Sequence, residues 1–258
     1  VAYAITEPSL FIVLIILGVL FYKQNRKTAI MQKMIIGDSV NSPLELTISQ
    51  IVIGLLAGIF ASLLLSYIGV MFPENSGIEF LFVVSILLMF FKPRFFCFSY
   101  SASILGSVYL VLRLFTDSVG ASNAFNIDLV FLFSMVGVLH FIEGLLVMID
   151  GHKGAIPIFT TKNNKIIGGF ALKRYWAIPV ALFIIYAQTP GSGIGTIDVS
   201  TPDWWPLFKS GNTLDIIKTA VLTMIPFYGV LGYSGVTFTN DKGTKAFQSG
   251  LGILVYGI

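Results

Sequence analysis

Charge is scarce in this sequence. Asp, Glu, Lys and Arg make up 11% of its 258 residues, against about 25% in ordinary soluble domains. A soluble monomer is thereby excluded, because too few charged groups exist to cover a water-facing surface. Low hydrophobicity, the mark of a disordered chain, is also missing: 55% of the residues are hydrophobic and the formal net charge is only +3. Cysteine occurs once, as Cys97 between apolar neighbours, so neither an intrachain disulfide nor a cysteine-built metal site can form, and a small buried apolar residue is the expected role. Histidine occurs twice, at His140 and His152. No basic region precedes the first apolar run, which follows Glu7 and is itself followed by basic residues, the order expected of a retained anchor. No internal repeat or inverted pair of halves is visible.

What the sequence has instead is long apolar runs and a mean hydropathy of +0.87. Eight runs are candidates for bilayer spans, at 8–22, 48–72, 78–91, 95–115, 127–149, 176–188, 214–232 and 246–258. A crossing helix needs about 20 residues, so the short third, sixth and eighth could borrow flanking residues, stay tilted or form a hairpin. The expected fold is all-α: one polytopic transmembrane bundle of about eight spans over 1–258. Because the eighth run ends at Ile258, more sequence is expected to follow it.

Lysine and arginine sort onto one side of this arrangement. Lys23, Arg26, Lys27 and Lys33, then Lys92 and Arg94, then Lys153, Lys162, Lys165, Lys173 and Arg174, then Lys242 and Lys245 fall on alternate connections; only Arg113, Lys209 and Lys218 fall on the others. Cytoplasmic connections collect basic residues, which predicts a multi-pass cell-membrane protein with these loops inside and the N-terminus outside. The connection 150–175 reads as a short β-hairpin with a basic rim, turning at Asn163-Asn164. Its Lys153, Lys162, Lys165, Lys173 and Arg174 are candidates for contact with lipid head groups or a partner protein. The outer connection carries Trp204 and Trp205, which read as interface anchors with a ligand cage as the alternative. Its PGSGIG stretch at 190–195 lacks the strand-to-helix setting of a phosphate loop. Gly54 and Gly58 form a G-x-x-x-G that favours close helix contact.

One polar constellation lies inside a span. On a helix His140, Glu143, Val147 and Asp150 share a face, and an ionisable residue inside a membrane is a functional hypothesis. A His-Glu pair that locks helices is the plainer reading; a metal site, a proton relay or a protease centre are the sharper ones. A zinc protease needs His-Glu-x-x-His, and the order here is His-x-x-Glu followed by Gly144. Asp128 and Asp150 sit about 33 Å apart by helical rise, too far for an aspartyl pair. No Gly-x-Ser-x-Gly elbow occurs. No catalytic residue, metal or cofactor is expected, and no nucleic-acid partner.

Three stretches together resemble a known family: 31–38 (MQKMIIGD) running on to 42–50 (SPLELTISQ); 139–144 (LHFIEG) through Asp150-Gly151 and 154–157 (GAIP); and 226–234 (PFYGVLGYS). They are similar to the multi-span region of the PDZ-domain-containing membrane proteins of Firmicutes, the MinJ-type cell-division topology group. The resemblance implies a membrane scaffold that positions cytoplasmic or membrane division proteins, with a further span and a cytoplasmic PDZ domain after this region, and with His140 and Glu143 in a structural role. No enzymatic role follows from it. The bilayer is the first expected partner, and a second copy of the chain is a candidate one. A transporter or channel lined by His140, Glu143 and Asp150 is the rival reading, and an intramembrane protease or its regulator a second.

Overall fold

A serine before a proline, with glutamate two residues after the proline, starts a helix at Pro43. Ser42 Oγ accepts the backbone N–H of Glu45 at 3.1 Å, and Asn41 Nδ2 donates to the Glu45 carboxylate at 3.1 Å, a capped start with proline where no N–H is needed. The computed structural model in which this is seen describes residues 8–73, 78–91, 98–119, 128–162, 164–187, 204–205, 207, 220–238 and 241–257. In chain order its elements are α1 (Pro8–Ile36), α2 (Pro43–Ile68), β1 (Met71–Pro73), α3 (Ile78–Phe91), α4 (Phe98–Val119), α5 (Leu129–Asp150), β2 (Ile156–Lys162), β3 (Lys165–Ala187), β4 (Ala220–Thr237) and α6 (Lys242–Gly257).

The eight-span all-α bundle expected from the apolar runs is not what the chain forms. The described residues contain six helices and a four-stranded mixed sheet. Three helical segments, Pro43–Ile68, Phe98–Phe115 and Leu129–Asp150, are long and apolar enough to cross a membrane. The runs 176–188 and 214–232, expected as spans, are strand wherever they are described. A short, continuously apolar run does not tell helix from strand by periodicity. The first is dense in β-branched and aromatic residues, including Trp176, Ile178, Val180 and Phe183, and Pro179 would cost a helix interior about 3 kcal/mol. Elsewhere length decides: α3 has 14 residues, about 21 Å of helix, against a hydrocarbon core of about 30 Å.

The chain falls into two compact units. One comprises Val1–Ser62, Val138–Ala181 and Pro226–Ile258. Within it α1 is tied to α2 by Asn25 Nδ2, which donates to Thr47 Oγ1 at 2.9 Å and Gln50 Oε1 at 2.7 Å. Gln32 Nε2 donates to the Ala155 carbonyl at 2.8 Å, fastening α1 to the start of β2. β2 pairs antiparallel with β3 from Ile156↔Ala171 to Lys162↔Lys165. Asn164, in the turn, takes the left-handed φ of 57° that asparagine tolerates. A hairpin thus stands at 150–175, but its second strand runs on to Ala187, well past the loop. On the other side of β3, Gly169 lies against Thr237 and Gly232 against Tyr175, so β4 runs antiparallel to it.

Gly54 and Gly58 do bring a helix close to a neighbour, but that neighbour is a strand. A Cβ on Gly54 would stand 2.2 Å from the Ala177 carbonyl oxygen, and one on Gly58 would stand 2.3 Å from that of Pro179. A second close approach joins α5 to α6, where a Cβ on Gly144 would meet Gly250 O at 2.8 Å and one on Gly250 would meet Gly144 O at 2.5 Å.

The other unit comprises Leu63–Gly137 and Leu182–Ile225. In it α3 and α4 pack together through a hydroxyl pair, Ser85 and Ser101, 2.6 Å apart. β1 lies parallel to β3, with Met71 opposite Phe183. Trp205 Nε1 donates to the Ser66 carbonyl at 2.8 Å, and Trp204 tilts against Tyr67 with ring centroids 5.4 Å apart. The two tryptophans therefore clasp the end of α2, each against its own protein neighbour.

Asp241 starts α6. Its Oδ1 accepts the backbone N–H groups of Gly243 at 2.9 Å and Thr244 at 3.1 Å, and the Thr244 hydroxyl donates to its other oxygen. These bonds, that from the Thr244 hydroxyl foremost, hold the Asp241 carboxyl below its usual range. With the folded value depressed, the cap stabilises the helix above the ordinary aspartate pKa of about 3.9 and is lost as pH falls through the depressed value. Amide protection in the first turn of α6, measured against the intrinsic exchange rate at each pH, should therefore fall as the pH drops below about 4. In Asp241→Ala that protection should be low already at neutral pH. Identical exchange profiles in the two proteins would contradict this cap.

Candidate functional site

The last residue of α5 is the centre of the most strongly bonded polar group among the described residues. Asp150 is fully buried. Just beyond it the chain reverses through Gly151 and Gly154, the latter at φ 68° against Leu46, and enters β2. The returning strand β3 then brings Arg174 and Trp176 back to it. Two residues apart on a strand, their side chains fall on one face.

Both oxygens of Asp150 are occupied. Oδ2 accepts Arg174 Nε at 2.7 Å and Trp176 Nε1 at 2.9 Å; Oδ1 accepts Lys153 Nζ at 2.9 Å and Ser49 Oγ at 3.3 Å. Arg174, itself only 1% exposed, completes its contacts on α2. Its Nη1 donates to the Leu46 carbonyl at 3.3 Å and Nη2 to Ser49 Oγ at 3.1 Å. Leu46 and Ser49 are adjacent on the helix surface by their i,i+3 spacing. The cluster therefore joins α2, the end of α5 and β3 through one buried charge pair. A carboxylate that accepts from four donors, facing a guanidinium that does not release its proton, is built to hold elements together rather than to transfer protons.

The polar face expected on α5 is split in two by its surroundings. His140 is buried against α6, its ring 5.8 Å from that of Tyr256. Glu143 lies close enough for its charge to interact with His140. Asp150, about 15 Å farther along the helix by its rise, belongs to Arg174 instead. Among the described residues no three His, Cys, Asp or Glu side chains stand close enough to hold a metal.

The basic loop residues also separate. Lys165 is exposed at the hairpin turn, and Lys173 is exposed with its Nζ 5.7 Å from the centre of the Tyr175 ring. Lys153 is half in and half out, with 41% of its side chain exposed while it bonds Asp150. Lys162 pairs through its backbone with Lys165, and its side chain lies outside the described residues. Arg174, expected at the surface with the lysines, is corrected to the core: an arginine between Leu172 and Trp176, both buried, travels inward with its strand face. Cys97, Lys92, Arg94, the 190–195 stretch, Lys209 and Lys218 lie outside the described residues.

Sequence reasoning missed Ser49, Trp176 and the Arg174 partnership. The available signal was the alternation Leu172, Arg174, Trp176, an arginine on the apolar side of a β pattern, which demands a buried acid.

No family model matches the chain, and neither does any curated protein or solved structure.

Proposed function

We propose that this chain is a membrane-embedded scaffold that positions partner proteins, in the placement of the division site or a related organisation of the cell envelope. The observation that carries the reading is the Asp150–Arg174 pair. The most deeply buried charges among the described residues have their bonds made within the protein and tie three elements together, as a rigid support requires and a proton or solute path does not. The family resemblance supplies the division role.

In this reading α2 and α4 enter the bilayer from the basic side and α5 returns to it. Lys33 precedes α2, Lys92 and Arg94 precede α4, and Lys153 follows α5. The whole connection from α2 to α4, of which α3 alone is too short to cross, then carries the chain back. The basic connections are cytoplasmic and the N-terminus is outside.

The native protein, tagged with a fluorescent domain and expressed from its own locus, is expected to concentrate at division sites. Deleting its gene should displace septa from their normal positions. An even distribution over the membrane, with normally placed septa after deletion, would overturn the proposal.

A further inference from the structure

Beyond Tyr22, helix α1 carries a face that mixes basic and apolar side chains. At about 100° of turn per residue, Lys23, Lys27, Ile30 and Met34 fall within about 60° of one another, with Arg26 and Lys33 on one flank and Met31 on the other. All seven are exposed, Met34 at 74% and Ile30 at 49%. Asn25, Thr28, Ala29 and Gln32 lie across the helix from them and are buried; of these Asn25 bonds α2 and Gln32 the Ala155 carbonyl.

The charge on this face has one sign, because α1 contains no Asp or Glu. The acids that follow it in the chain are bonded locally. Asp38 Oδ1 accepts the Ser39 backbone N–H at 2.7 Å, and the Glu45 carboxylate accepts Asn41 Nδ2 at 3.1 Å. Among the described residues neither forms an ion pair with Lys23, Arg26, Lys27 or Lys33.

Height above the bilayer selects the occupant. α1 runs antiparallel along α2, with Gly18 against Ile51 and Asn25 bonded to Thr47 and Gln50. The apolar run of α2 begins at Ile48, just past Glu45. With α2 across the bilayer, Asn25 therefore stands level with the edge of the hydrocarbon. Met34 is nine residues farther out, about 14 Å along the helix, whereas the head-group layer is about 5–8 Å deep on each side. Lipid phosphates can meet Lys23, but acyl chains do not reach Met34.

We infer that this face of α1 docks an acidic amphipathic helix of a cytoplasmic partner protein, its apolar side on Ile30, Met31 and Met34 and its Asp or Glu side chains facing Arg26, Lys27 and Lys33. Helices lie on one another through anchors three and four residues apart, the spacing of Lys27, Ile30 and Met34. Opposite charge around the apolar centre steers and orients such a pair. The inference rests on the scaffold reading, to which it gives a surface and a partner chemistry, and its test separates the two.

The test uses the full chain, expressed from its own locus with the photocrosslinking residue p-benzoylphenylalanine in place of Met34 or, in a second strain, of Leu56 on the exposed side of α2. Irradiated cells are expected to give a lipid adduct at Leu56 and a protein adduct at Met34. The peptide joined to Met34, read by mass spectrometry, should carry an apolar stripe flanked by Asp and Glu. Lys27→Glu with Lys33→Glu should cut this adduct roughly tenfold while the amount of protein in the membrane is unchanged. Exchanging the partner's acids for lysine in that background should restore it.

A lipid adduct at Met34, an adduct with a second copy of the chain, or no adduct there would each overturn the inference, as would a protein adduct that lacks the acidic flank or survives the charge reversal. None of these bears on septum placement, which tests the scaffold reading. The acidic adduct found together with normally placed septa after gene deletion would keep the docking and overturn the division role. No lipid adduct at Leu56 would overturn the membrane reading of α2 and the inference with it.

Discussion

Arg174→Ala is expected to destabilise the chain by roughly 3–5 kcal/mol, the usual consequence of stranding one member of a buried ion pair. The substitution removes the donor 2.7 Å from Asp150 Oδ2 and leaves the Leu46 carbonyl and Ser49 without their guanidinium contacts. Trp176 and Lys153 would remain, but a neutral indole and a lysine half in water do not replace a fixed buried cation. The double variant Arg174→Met with Asp150→Leu tests the cause. It removes both charges together, so it should recover part of the loss and leave Trp176 Nε1 as the principal unpaired group. Thermal unfolding in detergent would show the order: native, then double variant, then Arg174→Ala. If the double variant is no better than the single one, the buried charge is not what makes Arg174 necessary.

A comparable loss is expected where α2 meets β3. Gly54→Ala would push a methyl to within 2.2 Å of the Ala177 carbonyl oxygen, and the obstruction is backbone, which cannot swing aside. Overpacking of this kind costs about 1–3 kcal/mol and sometimes more. Gly58→Ala meets Pro179 in the same way, and because the two sites share one interface their effects should not add. Gly252→Ala is the control. It also lies within a helix, but nothing stands within 4 Å of the new methyl, and alanine is favoured over glycine there by about 0.5–1 kcal/mol. Opposite shifts in the unfolding temperature of Gly54→Ala and Gly252→Ala would separate close approach from helix propensity. Shifts of the same sign would refute the packing argument.

The glycine result also shows how far the sequence could be read. A G-x-x-x-G announces that something comes close to a helix, but its partner is a matter of tertiary structure, and β3 rather than a second helix fills the notch. The cores of α2, α4 and α5 were legible because runs of 18 or more mostly apolar residues leave little choice of form. The runs at 176–188 and 214–232 were not, since without alternating polar residues they carry no period to choose by. The turn at Asn164 could be read from local chemistry alone. Asp150 stood out as an ionisable residue in an apolar run, yet helical spacing grouped it with His140 and Glu143. Its true partner lies 24 residues onward, at a place set by the register of β3 on β2. Ser42-Pro43-Leu44-Glu45 is the reverse case: a helix start written plainly in four residues, beneath a resemblance that drew attention to the longer stretch.

The Gly144–Gly250 crossing can form only after both of its helices have been made. Its halves are separated by 106 positions of chain, and a ribosome adding about 5–20 residues per second needs roughly 5–20 s to produce the second after the first. Throughout that interval the helix bearing Gly144 has emerged with its notch unfilled. Backbone shape, more than side-chain matching, recognises the later helix, so the joint closes only after the chain between the two glycines has been made.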